Sequence, residues 1–103
     1  MSAVDIDEAV VYEGDAGTEL TPDTGSDLST ATELLLTVKR PDGAAALQWV
    51  GVQYETTKIR YVTSEGDTPA GVFGSYLIQP KVTMPSGTWR GKTRTLVVRE
   101  KFT

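Results

Sequence analysis

Apolar and polar positions alternate along much of this chain in short runs, and turn-forming residues interrupt the runs about every ten residues. Alternation with period 2 marks a strand that buries one face. The clearest run is Thr32–Arg40, where Leu34, Leu36 and Val38 alternate with Glu33, Leu35, Thr37 and Lys39. A helix starting near Ser29 is the rival, because Thr30 and Glu33 fit a capping box. Pro41 would stop that helix early, so the strand is preferred.

Further strands are expected over Ala9–Glu13, Leu47–Gln53, Lys58–Thr63 and Ser75–Thr83, with a final strand running from Thr88 or Trp89 to Phe102. Thr18–Thr21 reads as a short continuation of the first strand across a kink. Pro80 interrupts the donor side of its strand, so that side should face solvent or meet a bulge. Gly14–Gly17, Pro22–Asp27, Ser64–Gly74 and Pro85–Gly87 are dense in turn formers and read as loops. Arg40-Pro41-Asp42-Gly43 is a tight turn: proline presets φ, and glycine relieves the exit. The pattern therefore predicts one all-β domain of about seven mostly antiparallel strands over residues 1–103, with residues 1–8 as an acidic N-terminal arm.

At 103 residues the chain can bury one modest core. It contains no cysteine, so nothing staples that core, and no histidine. These two absences remove the commonest general base, the usual partner of a nucleophilic serine, and the standard zinc ligands. A non-enzyme is expected, with no cofactor and no metal. Asp5, Asp7 and Glu8, or Asp23 and Asp27, offer oxygen ligands, but no twelve-residue calcium loop of the required spacing surrounds them. Gly14-Asp15-Ala16-Gly17 lacks the lysine and hydroxyl residue of a phosphate loop. No apolar run approaches the roughly 18 residues of a membrane helix. The start, Met1-Ser2-Ala3-Val4-Asp5-Ile6-Asp7-Glu8, is acidic where a secretory signal would be basic, so a soluble protein is expected.

Charge is distributed unevenly. Residues 1–38 hold nine acids and no base, whereas residues 39–103 hold ten bases and five acids. Arg90, Lys92 and Arg94 have the spacing of one strand face, beside Trp89. Nucleic-acid binding is not expected from so few charges on a net acidic protein. Two readings of the basic run remain: a charged face that guards an edge strand, or a surface that docks the acidic Asp5, Asp7 and Glu8 segment of a neighbour. Trp89 itself either caps one end of the domain or offers an indole for stacking.

Gly74-Ser75-Tyr76-Leu77-Ile78 follows a loop rich in glycine. In immunoglobulin-like sandwiches a tyrosine at this place closes a corner through its hydroxyl, two residues before a core position. Tyr76 and Ile78 fit those parts, and Trp49, on the third long strand, fits the large core residue beneath them. The expected fold is thus an immunoglobulin-like β-sandwich. Gly17-Thr18-Glu19, Asp23-Thr24-Gly25, Asp27-Leu28-Ser29, Val38-Lys39-Arg40-Pro41-Asp42-Gly43, Trp49, Ile59-Arg60-Tyr61, Gly66-Asp67, Ala70-Gly71, Tyr76 and Gln79 follow one another in that order. Over residues 12–102 this resembles small immunoglobulin-like virion proteins of tailed bacteriophages. It is similar in style to the N-terminal domain of upper baseplate proteins and to short proteins of the head–tail connector region. Upper baseplate proteins continue into receptor-binding modules, whereas this sequence ends at Thr103.

The resemblance implies a structural component of the tail, baseplate or head–tail junction. It would reside in the virion and contact other virion proteins or copies of itself. The alternative expectation is a carbohydrate-binding module that stacks sugar on Trp89 or Tyr61.

Overall fold

The alternating runs become strands whose apolar sides meet in one interior. The computed structural model describes Ile6 and residues 9–102, so Asp5, Asp7 and Glu8 of the expected arm lie outside the described residues. Nine strands form: β1 (Val10–Tyr12), β2 (Glu19–Leu20), β3 (Glu33–Lys39), β4 (Leu47–Val50), β5 (Val52–Tyr54), β6 (Lys58–Val62), β7 (Gly74–Met84), β8 (Gly87–Arg90) and β9 (Arg94–Arg99). No α-helix is present among the described residues, and the rival helix near Ser29 does not form.

A six-stranded sheet has the order β1-β9-β7-β3-β4, with β8 also paired to β7, and a three-stranded sheet has the order β2-β6-β5. All pairs are antiparallel except β1 with β9, which run parallel. The two sheets enclose a core drawn from both. Val11, Leu34, Leu36, Val38, Trp49, Tyr76, Ile78, Val82, Leu96 and Val98 come from the larger sheet, and Leu20 and Ile59 from the smaller. Fully burying a side chain such as Leu36 or Ile59 contributes about 1.5–3 kcal/mol, so the alternation itself selects this two-sheet, sandwich-like arrangement.

Four expectations change in detail. Thr18–Thr21 does not prolong the first strand: Glu19 and Leu20 pair with Val62 and Tyr61 in the other sheet. Leu47–Gln53 is not one strand either. It divides at Gly51, where the chain leaves the larger sheet as β4 and enters the smaller as β5. Trp49 accordingly lies on β4, one strand later in the chain than an immunoglobulin core tryptophan. A Cβ on Gly51 would collide with Ile59 Cγ2 and lie 3.2 Å from the Arg60 carbonyl oxygen. The crossing therefore requires glycine for space.

The expected last strand is also two, β8 and β9, both antiparallel to β7 along the same edge. Lys81 pairs with Arg90 and Ile78 with Arg94, so one strand advances four residues while the other advances three. This is a bulge. Pro80 sits opposite it, and its carbonyl accepts from Gly91 N–H at 2.9 Å. Proline offers no N–H to return, and the ladder gives way there.

Two expected local devices form. Gly43 takes φ of 78° at the exit of the Arg40–Gly43 turn, where Ala44 N–H donates to Asp42 Oδ1 at 3.0 Å. The fully buried Tyr76 donates its hydroxyl to the Val72 carbonyl at 2.7 Å. Ile78, also fully buried, follows on the same face.

Candidate functional site

Loop 21–32 joins β2 to β3 and is rich in short polar residues that bond their own backbone. Asp23 Oδ1 accepts from Gly25 N–H at 2.9 Å, and Asp27 Oδ1 accepts from Ser29 N–H at 2.8 Å and from the Ser29 hydroxyl at 2.6 Å. These bonds hold both exposed carboxyls below the ordinary range: for Asp23 the Gly25 amide acts most, and for Asp27 the Ser29 hydroxyl. The loop is also fastened to the turn between β5 and β6. Thr24 N–H donates to the Thr57 carbonyl and Leu28 N–H to the Thr56 carbonyl, both at 2.9 Å. Leu28 is buried in the core, which fixes the loop from below.

Across from this loop stands the β7–β8 hairpin. Trp89 pairs with Val82, so its side chain points to the core side of the larger sheet. The opposing sheet has only three strands against six, and the indole is left 51% exposed. Ser26, Asp27, Leu28, Val82, Met84 and Trp89 line an open groove of about 330 Å³ between loop and hairpin. Gly87 makes room for the ring, since a Cβ there would lie 3.3 Å from Trp89 Cη2. The result is an indole face and a thioether on an apolar floor, with one carboxylate at the rim. Such a site can bind, by stacking and by a few hydrogen bonds.

The basic run does not share one face. Arg90 pairs with Lys81 on the outer side of β8, and the exposed Lys92 lies in the bulge. The extra residue reverses the alternation, and Arg94 faces the core side of β9 opposite Ile78. Its guanidinium donates to the Asp23 carbonyl at 2.7 Å and to the Lys92 carbonyl at 3.0 Å. Arg94 therefore clamps loop 21–32 to the larger sheet, while Arg90 and Lys92 stay exposed and do not line the Trp89 groove.

Tyr61, the other expected stacking platform, is engaged in the fold. Its ring stacks on Trp49 and its hydroxyl donates to Asp67 Oδ2 at 2.6 Å. Burial, with the Asp67 carboxylate next in effect, pushes its hydroxyl up to about 12. Among the described residues no three acidic side chains gather as a metal-holding group. Asp27 stands out in the sequence only as an oxygen ligand for calcium, and Met84 is not singled out. The turn-forming run Pro22–Asp27 marks a loop, but nothing near it announces the hairpin that faces it. No protein-family model, curated protein or solved structure matches this chain.

Proposed function

We propose that this chain is a non-catalytic, immunoglobulin-like structural module that works by protein–protein assembly, as a tail, baseplate or head–tail junction component of a tailed phage. Strand order supports the immunoglobulin-like part. The sequence β9-β7-β3-β4 in one sheet and β2-β6-β5 in the other follows the G-F-C-C′ and B-E-D orders of variable-type domains. The Tyr76 hydroxyl on the Val72 carbonyl supplies the corner. The phage assignment rests on the resemblance over residues 12–102.

The observation that carries the assembly reading is the half-exposed Trp89, set in an open apolar groove. Tryptophan is among the residues most enriched in interface hot spots. Mass spectrometry of purified particles tests the reading. The chain is expected among the virion proteins, and Trp89→Ala is expected to lower its copy number. A chain absent from purified particles overturns it.

A second reading is favoured by the same exposure: a carbohydrate-binding module that stacks a sugar ring on Trp89. A glycan array with wild-type and Trp89→Ala protein decides this one, and an array without hits removes it.

A further inference from the structure

The β1 and β4 edges of the six-stranded sheet are treated very differently. At the β1 edge, Tyr12 N–H donates to Asp15 Oδ2 and the Tyr12 carbonyl accepts from Asp15 N–H, both at 3.0 Å. That edge is closed by its own loop, and Glu13 and Asp15 add charge. At the β4 edge no strand or loop is paired among the described residues.

The direction of the free groups follows from the ladder. Gly51 N–H donates to the Leu34 carbonyl at 2.9 Å, so Gly51 and Leu34 form a hydrogen-bonded pair. Alternation then turns the backbone groups of Trp49 and Leu47 toward β3, and those of Gln48 and Val50 outward. These outward donors and acceptors lie in Gly43–Tyr54, twelve residues with no charge and no proline. Val50 is 72% exposed and Val52 56% exposed. β4 is short, at four residues, but among the described residues no charge, proline, bulge or covering loop blunts it.

We infer that β4 is a self-association edge, on which a second copy of this chain adds its own β4 antiparallel about a twofold axis. With the axis at Trp49, Gln48 of each copy faces Val50 of the other, and each pair exchanges both backbone bonds. Twofold symmetry guarantees that the donors and acceptors match. The uncharged run brings no like charges together, as self-pairing of the β1 edge would with Glu13 and Asp15. Pairing consumes the free edge, so the assembly closes at two copies with one continuous sheet. This goes beyond the virion reading and does not depend on it.

Sedimentation equilibrium of the full chain across a concentration series tests the inference, beside Val50→Lys, Gln48→Pro and the opposite-edge control Val10→Lys. The wild type is expected at twice the 11.1 kDa chain mass. Val50→Lys and Gln48→Pro are expected to weaken dimerisation by about tenfold or more, and Val10→Lys to leave it unchanged. Amide exchange on the wild type gives a readout free of mutation: protection at Gln48 and Val50 should rise with concentration. A wild type that stays monomeric, including one that instead captures a foreign extended peptide, overturns the inference. So does growth beyond two copies, or a dimer that Val10→Lys breaks and Val50→Lys does not.

Discussion

The indole of Trp49 lies against the ring of Tyr61, with centroids 4.9 Å apart and planes 11° from parallel. One ring belongs to β4 of the larger sheet and the other to β6 of the smaller, so the stack fastens the two layers across the core. Truncation of a buried tryptophan leaves a large cavity, and Trp49→Ala is expected to cost about 3–5 kcal/mol in chemical denaturation. A domain of this size has roughly 5–15 kcal/mol in all, so the variant should melt far below the wild type. A double-mutant cycle with Tyr61→Leu should return a coupling of about 0.5–1.5 kcal/mol for the stack itself. Additivity of the two changes would show that the rings merely fill space.

The hydroxyl of Tyr61 gives the stack a pH dependence. Its ionisation is pushed up to about 12 in the fold, first by burial and then by the Asp67 carboxylate beside it. In the unfolded chain it returns to about 10. Between those values the folded form holds a proton that the unfolded form has released, so stability falls as pH rises through that window. Below the unfolded value the contribution is complete. Urea midpoints measured from pH 9 to 12 should therefore drop more steeply for wild type than for Tyr61→Phe. Parallel slopes would remove Tyr61 as the source.

Faces were legible in the sequence; breaks were not. Leu34, Leu36 and Val38 announced the central strand because alternation is the direct imprint of a half-buried sheet. Tyr76 could be placed because its corner depends on local chain geometry. The division of Leu47–Gln53 escaped because it depends on how closely Gly51 packs against Ile59 of the β5–β6 hairpin, which the alternation does not encode. The Arg94 inversion escaped for a related reason. Pro80 announced a possible bulge, but which strand would absorb the extra residue, and which charge would turn inward, depended on the pairing with β7. The groove at Trp89 joins residues 26–28 to residues 82–89, segments far apart in the chain that no local pattern links.

Gly51 should tolerate no side chain while Ile59 keeps its length. Gly51→Ala places a methyl into Ile59 Cγ2 and close to the Arg60 carbonyl. Overpacking of this sort costs about 1–3 kcal/mol. Ile59→Ala alone leaves a cavity and costs about 2–5 kcal/mol. The double variant should be more stable than the sum of the two losses allows, because the new methyl occupies space the isoleucine vacated. Strict additivity in thermal or urea unfolding would place the strain of Gly51→Ala elsewhere.

Arg94 should matter for loop order more than for global stability. Its bonds to the Asp23 and Lys92 carbonyls tie loop 21–32 and the bulge to β9. Arg94→Ala is expected to cost about 1–2 kcal/mol, in the range of hydrogen bonds from a charged donor. Hydrogen exchange should accelerate at Thr24 and Leu28, whose amides fasten that loop to Thr57 and Thr56. The β3 and β7 amides should change far less. Uniform acceleration through the whole sheet would show that Arg94 supports the fold globally.

The two tryptophans should separate by solvent access, and the separation bears on what the groove does. Trp49 is buried under Tyr61, whereas Trp89 stands half exposed over Leu28, Val82 and Met84. Acrylamide should quench wild-type fluorescence in two components, and Trp89→Phe should remove the accessible one. Because half the indole is already in water, Trp89→Ala should cost only about 1 kcal/mol, well below Trp49→Ala. A large loss of binding or incorporation with so small a loss of stability would place the effect in the groove. Equal damage to both would make Trp89 a core residue, and the assembly reading would then lose the observation that carries it.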